Sequence, residues 1–587
     1  MAVETTTPEE FGEVSRLKGI VFEYLSLGAS VVGLLALAAL LVYVFVDAFG
    51  LATASPEWLL TYFLTLVVPF VGFCLYSIDD RALIRQTLLA LGGGLVAVAA
   101  GFAAIETFIA PIPRLSWPVG YLFLVVTPVT ARLTVAASSR PVGAAGFGVI
   151  GRLLGGAGLG IAVAILFIVS DLELWFLAYT LGVVPATASY AYGRYTDSDR
   201  LRTVAIPIGI LGFVAAVLLR PVVGIYPAAG LEFIWTLAIP LAVGSAALVD
   251  SRGHGRRAAA AVGGGTLLAG AAGIALGSSA LPDGAGVAVL AMAAAPTAVF
   301  VADSYDKPGR IGLTLPFLLS GGALAGAAVV ATVGIPTPEM WLTPEYLTSA
   351  PSRTAADAGL YPAIVGSIII IAMVAVISFV LGVGAAVFLE EYTAGSGWLG
   401  SVTRLFQINI ANLAAVPSVV YGLLGLGLFA NLLGFGFGTA VTASLTLSLL
   451  ILPITVISAQ EAVRSVPDEL RQGSYAMGAT RWQTIKNVVL PEAMPGILTG
   501  TILALGRAIG ETAPLIMIGA ATTVFSAPSG IWSRFSAMPM QIYAWANFPQ
   551  AEFRYGVVAA GVVTLLIVLL ALNGTAIIIR NRLEREH

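Results

Sequence analysis

The chain has 587 residues, of which 58% are hydrophobic and only 10% charged, a balance foreign to a soluble globular domain. Its 29 basic and 32 acidic residues leave a formal net charge of −3, so nothing in the charge favours nucleic-acid binding. A single cysteine, Cys74, rules out an intrachain disulfide, and two histidines, His254 and His587, cannot supply a histidine-rich metal site; no metal or cofactor is expected.

Residues 1–23 read as a cytoplasmic N-terminal segment, polar at its start and without the apolar core of a cleavable signal peptide. Apolar runs near twenty residues then recur, the length a helix needs to cross about 30 Å of hydrocarbon. Eleven candidate spans lie near 24–49, 57–77, 86–109, 116–137, 150–170, 172–192, 203–219, 230–248, 257–277, 285–302 and 311–334. Five more lie near 361–389, 405–432, 437–457, 493–521 and 556–579. The pattern is that of an all-α polytopic protein of the cell membrane with about sixteen transmembrane helices. With the N-terminus inside, alternate loops collect 22 Lys and Arg residues on one side and five on the other, Arg132 and Arg507 falling inside spans. That asymmetry puts both termini in the cytoplasm.

The region 24–334 repeats itself. Pro69, Pro128, Pro185, Pro240 and Pro296 are separated by 59, 57, 55 and 56 residues, and each is followed by a cytoplasmic arginine: Arg81, Arg140, Arg194, Arg252 and Arg310. A fixed period points to duplication of a two-helix unit. Glycine clusters at 92–94 and 263–265 suit close helix packing, and Arg132 is placed to snorkel to the headgroups of membrane lipid. Nothing here carries recognisable chemistry. Residues 335–360, rich in Pro, Thr and Ser, read as an outer linker between two halves.

The second half, 361–587, holds a polar island at 461–491 between two apolar segments. Ser465 reads as a helix N-cap with Pro467 in the first turn and Asp468 three residues after the cap. Gly478 permits a turn. A second short helix follows, with Trp482, Ile485, Val488 and Val489 on one side, and Pro491 ends it. In the next apolar segment Arg507 and Glu511 stand four apart, on one helical face. With a helix start near Met494, Arg507 lies roughly 20 Å along it, inside the bilayer, where a charge faces a cavity or a partner. The planar arginine fork suits an oxyanion, and Glu511 would hold it and moderate its pull; an ion pair that merely locks helices is the alternative. Thr512 and Thr499 are weaker candidates, since a helical Thr commonly bonds its own backbone. Glu390 and Glu391 read as a solvated helix end, a role in gating or partner contact being the alternative, Pro417 as a residue that shapes a helix, and Trp532, Tyr543 and Trp545 as outer-loop aromatics for interfacial anchoring or partner contact.

The island resembles the coupling loop of ABC importer permeases, whose pattern is EAA, three residues, Gly, nine residues, Ile-x-Leu-Pro. Gln472, Gly473 and Ser474 stand at the EAA positions, Gly478 is the glycine, and Val488, Leu490 and Pro491 close the pattern. Residues from about 355 resemble the A-type permease subunits of phosphate ABC importers (PstA). The strings AAVFLEEYT, LAAVPSVVYGLLGLGLF, PGILTGTILALGRAIGETAPLI and MPMQIYAWANFPQAEF carry this likeness. The resemblance implies a MetI-like ABC permease domain. It also implies contact of Gln472, Gly473, Ser474, Gly478, Arg481, Trp482, Leu490 and Pro491 with a cytoplasmic ABC ATPase dimer. A sister permease subunit, an extracytoplasmic phosphate-binding protein and a phosphate path lined by Arg507, Glu511 and Thr512 follow from it too. No GxxxxGK[ST] loop is present, so ATP hydrolysis is expected in partners and this chain is not expected to be an enzyme. Two rival readings are a permease for another oxyanion (molybdate, sulfate or phosphonate) and a membrane sensor or scaffold with an inactive permease. A membrane enzyme fits less well, since intramembrane His and paired acids are missing and the lone Cys74 has no such partner in its span.

Overall fold

The computed structural model describes residues 16–78, 80–108, 116–169, 172–222, 229–277, 284–392 and 398–583. The expected segment 1–23 is therefore described only from 16 onward, and Arg114 and His587 lie outside the described residues. Within them the chain is helical, with one isolated bridge, Thr439 to Arg534, and no strand.

Eleven apolar helices precede residue 335: α1 Gly19–Ala48, α2 Pro56–Ser77, α3 Arg81–Phe108, α4 Trp117–Ser138, α5 Pro141–Ala164, α6 Glu173–Tyr195, α7 Asp199–Leu219, α8 Gly230–Ser251, α9 Gly255–Ala275, α10 Ala285–Tyr305 and α11 Arg310–Val333. In α2, α4, α6 and α8 a π-helical turn, at Phe63–Val67, Leu122–Val126, Tyr179–Val183 and Ile234–Ala238, stands just before Pro69, Pro128, Pro185 and Pro240. Proline lacks the N–H of an α-turn and presses on the carbonyl four residues back; one wide turn relieves both. Pro296 sits in an unbroken α10. Three of the carbonyls that lose their usual donor face a glycine of a neighbouring helix. A Cβ at Gly322 of α11 would collide with the Thr65 carbonyl, one at Gly212 of α7 with that of Leu181, and one at Gly156 of α5 with that of Met292. Glycine lets the backbones approach closely enough for Cα–H···O contacts.

The second half has α12 Tyr361–Tyr392, a bent α13 made of Leu405–Ala414 and Ser418–Leu432, α14 Ala440–Arg464, the short α15 Asp468–Ala476, α16 Arg481–Ile509 and α17 Phe553–Gly574. Its core joins Val365, Ile370 and Val374 of α12, Leu447 and Ile451 of α14 and Ala504 and Ala508 of α16 to Phe535 and Met540 of the outer segment. The first half docks on it. Ala48 at the end of α1 is buried against Ala559 and Val563 of α17. The stretch that reads as a linker is packed: the Trp341 and Leu342 amides both donate to the Ala48 carbonyl at 3.1 Å, and the buried Tyr346 hydroxyl donates to the Val557 carbonyl at 3.1 Å.

Several boundaries differ from the sequence reading. The run 405–432 is two limbs bent by 106°, because Pro417, at φ −56° and ψ 139°, cannot continue the first limb and starts the second. The second short helix of the polar island and the following span are one element, α16. Pro491 does not stop it, because another π turn, Ile485–Val489, precedes the proline and absorbs the lost hydrogen bond. The span expected at 493–521 ends at Ile509, capped by Gly510. Helix α5 begins at Pro141, so Arg152 lies in a helix and not in a loop. Its Nη1 donates to the Gly148 carbonyl at 2.8 Å and its guanidinium lies 3.7 Å from the centre of the Phe300 ring.

Candidate functional site

The polar island folds as a helical hairpin around Gly478, whose φ of +82° is the left-handed conformation that glycine adopts without strain. Ser465 is not the N-cap of α15: it closes α14, its amide donating to the Glu461 carbonyl at 3.0 Å, and Pro467 takes the cap position. Thr480 and Gln483 form a reciprocal capping box at the start of α16. The buried hydroxyls of Ser474 and Thr484 meet at 2.8 Å and close α15 on α16. Ile485 and Val489 are buried, but Trp482 is 57% exposed, because the buried stripe centres on Thr484 and Ile485 and leaves position 482 on its flank. Of the residues expected to meet an ATPase, Gln472, Gly473, Gly478, Arg481 and Trp482 are exposed, Leu490 and Pro491 half-buried, and Ser474 buried.

Glu390 and Glu391 do not form a solvated end. The Glu390 carboxylate accepts from Arg464 Nε at 3.0 Å, Arg464 Nη2 at 2.7 Å and Gln460 Nε2 at 2.9 Å. The buried Glu391 accepts from Arg471 Nη2 at 3.2 Å. Arg471 also donates to the Val463 and Val466 carbonyls, both at 2.8 Å, and to Asp468 Oδ1 at 2.9 Å. Sequence reasoning singled out the two acids but favoured a solvated end over a gating or partner role, since two acids at a helix end look like ordinary surface. The signal available was the pair of arginines at 464 and 471, both inside the island.

Arg507, Glu511 and Thr512 gather at the outer end of α16. Arg507 occupies its last turn, where the helix dipole favours a cation. Glu511 lies beyond the helix, its amide donating to the Ala508 carbonyl at 3.3 Å, so the two charges meet across the helix end and not along one face. Arg507 Nε stands 3.3 Å from Glu511 Oε1, with side chains 46% and 19% exposed. Its Nη1 and Nη2 make no hydrogen bond among the described residues. Thr512 precedes the short helix Ala513–Met517, and its hydroxyl makes no capping bond. That short helix packs on the second limb of α13, where Gly422 leaves room for Pro514 and Met517. The bend of α13 and the end of α16 therefore face each other beside the charged pair. Thr499 lies apart: it donates to the Pro495 carbonyl at 2.8 Å and accepts from Arg580 at 3.3 Å. Trp532 and Tyr543 are exposed, whereas Trp545 is 1% exposed and packs between Tyr346 and Phe553. It is a core residue, because the stretch 335–360 covers it.

No three His, Cys, Asp or Glu side chains among the described residues converge as metal ligands. His254 Nε2 lies 2.9 Å from Asp303 Oδ1, and Asp303 also takes Arg252.

Residues 382–585 match the family described as the binding-protein-dependent transport system inner membrane component. The probable ABC transporter permease protein YqgI of Bacillus subtilis is 38% identical over 30% of this chain and 59% of its own length. The phosphate transport system permease protein PstA 1 of Mycobacterium tuberculosis is 37% identical over 38% of this chain and 70% of its length. PstA of Mycobacterium leprae is 40% identical over 33% of this chain and 61% of its length. The chain thus spans about three fifths to seven tenths of these relatives. A chain of the inward-facing MetNI methionine ABC transporter matches at 19% identity and a TM-score of 0.32, covering 38% of this chain and 97% of that one, a likeness too slight to argue from.

Proposed function

Because the chain belongs, through its C-terminal half, to the family of binding-protein-dependent ABC importer permeases of the membrane, we propose that it forms half of the path for phosphate in an ATP-driven importer. The observation that carries the choice of ligand is the Arg507 guanidinium, held by Glu511 through Nε while its two terminal nitrogens make no hydrogen bond among the described residues, the geometry that a tetrahedral oxyanion accepts. The family relatives named for phosphate support the same choice. An extracytoplasmic binding protein delivers the anion, a sister permease completes the path, and a pair of cytoplasmic ATPases docks on the exposed face of the island at Gln472, Gly473, Arg481 and Trp482. Ser474, buried against Thr484, shapes that face from inside. The eleven helices before residue 335, built on a repeated two-helix unit, form a separate membrane region that braces α17 through α1.

The test is ATP-dependent uptake of labelled phosphate into vesicles holding the full complex. Arg507→Ala is expected to abolish uptake while assembly and ATPase binding persist. Unchanged uptake would make Arg507 structural. Failure of unlabelled phosphate to compete, where molybdate, sulfate or a phosphonate succeeds, would replace the ligand and keep the permease.

A further inference from the structure

The last three residues of α12 each hold a different part of the cytoplasmic island. We propose that this grip, Glu390–Glu391–Tyr392, is the mechanical link through which movement of the coupling loop drives α12. The proposal rests on the permease reading and adds positioning residues to it.

These residues lie in a π turn, Phe388–Tyr392, which ends α12 and sends consecutive side chains in different directions. Glu390 takes the fork of Arg464, the last residue of α14, with Gln460 one turn earlier adding a third bond. Glu391 takes Arg471 of α15. The Tyr392 ring lies 5.1 Å from the guanidinium of Arg481, the first residue of α16. One turn thus holds the entry to the loop, the loop helix and the exit from it. A bidentate Arg–carboxylate pair fixes orientation as well as distance. Arg471 goes further, joining Glu391 to the carbonyls of Val463, in the last turn of α14, and of Val466, just beyond it. The loop cannot shift without pulling on α12, while its Gln472, Met477 and Trp482 remain turned outward for a partner.

The other end of the same helix supplies the second half of the argument. Helix α12 is an unbroken rod of 32 residues, about 45 Å long at 1.5 Å per residue. At its outer end Ser367 Oγ accepts from the Met538 amide at 2.8 Å. Leu360, Ala363 and Met538 share one buried cluster, and Gly366 lies against Ser536. The rod that carries the grip on the cytoplasmic side therefore carries the outer segment 536–538 on the other. Packed elements move between discrete arrangements and do not deform continuously, so displacement at the loop reaches the outer mouth through α12.

The experiment uses the full reconstituted complex, comparing wild type with Glu390→Gln/Glu391→Gln and, separately, Tyr392→Leu. The first variant keeps shape and removes charge; the second alters a side chain on the exposed flank of the turn. Both are expected to stay assembled with the ATPases and to hydrolyse ATP at a near-normal rate, while anion taken up per ATP falls, by about tenfold in the double variant and less in the single one. Spin labels at positions 477 and 543 are expected to lose their ATP-dependent change of separation in the double variant. Unaltered uptake per ATP in both variants would overturn the grip with the permease reading intact. A wild-type complex that neither binds ATPase nor transports would overturn the permease reading and the grip with it. If the double variant does not assemble, Tyr392→Leu decides alone: full coupling refutes the proposal and partial uncoupling supports it.

Discussion

Replacing Arg471 by alanine tests how the helical hairpin of the polar island is held. The side chain makes four hydrogen bonds, to Glu391, Asp468 and the carbonyls of Val463 and Val466. Removal leaves Glu391, whose side chain is only 9% exposed, buried without its cation, and takes one donor from each of the carbonyls of Val463, in the last turn of α14, and Val466, just beyond it. Breaking one side of a buried ion pair costs about 3–5 kcal/mol. The partial exposure of Arg471, 17%, and water reaching Asp468 bring the expected loss to about 3 kcal/mol. That is about two powers of ten in the equilibrium for local opening. Hydrogen exchange of the amides over 465–480 in the membrane-embedded protein measures it directly, with protection expected to fall about a hundredfold there and to stay unchanged in α17. Arg471→Lys is expected to recover about one of those two decades, since an ammonium can serve Glu391 or the carbonyls but lacks the fork to serve both. Unchanged protection in Arg471→Ala would refute the reasoning, because the loop would then be held by Ser474–Thr484 and the capping box alone.

The remaining expectations concern the frame around the site. Gly212→Ala, Gly156→Ala and Gly322→Ala each place a methyl group on a carbonyl of the facing helix and are expected to cost about 1–3 kcal/mol, seen as a lower thermal midpoint. Gly151→Ala, which meets nothing within 4 Å, is the control and is expected to be neutral or slightly stabilising. Trp545→Ala is expected to cost about 3–5 kcal/mol and Trp532→Ala almost nothing, because only the first is enclosed; equal losses would contradict the packing of 335–360 over Trp545. Tyr346→Phe removes the bond to the Val557 carbonyl and is expected to cost about 1 kcal/mol. Burial also raises the Tyr346 phenol above its ordinary value. The folded state therefore favours the protonated phenol, so this contribution is intact below the ordinary tyrosine value of about 10 and is lost as pH rises toward the folded one. Unfolding at alkaline pH followed in wild type and Tyr346→Phe checks the sign: the variant is expected to lose less stability there.

Composition and charge determined that the chain is helical and lies in a membrane, and the polar run from Glu461 to Pro491 marked the island that stands in water between two apolar segments. These are legible because hydrocarbon demands long apolar helices and because a loop in water must be polar. The prolines at 69, 128, 185 and 240 marked recurring positions, but the π turns before them became visible only in the folded backbone, since proline can equally kink or end a helix. Pro491 shows the difference: read along the chain it ends a helix, and in the fold it follows a π turn and the helix runs on. Pro417 does break its span, and the 106° bend between the limbs of α13 depends on what each limb packs against. Arg507, Glu511 and Thr512 were marked by sequence, yet their arrangement at a helix end, with Nε engaged by Glu511, follows from where α16 stops. Glu390, Glu391 and Trp545 were misjudged for one physical reason. Burial is a property of what other segments bring to a residue, and their neighbours, Arg464, Arg471 and Tyr346, lie 74, 80 and 199 positions away in the chain.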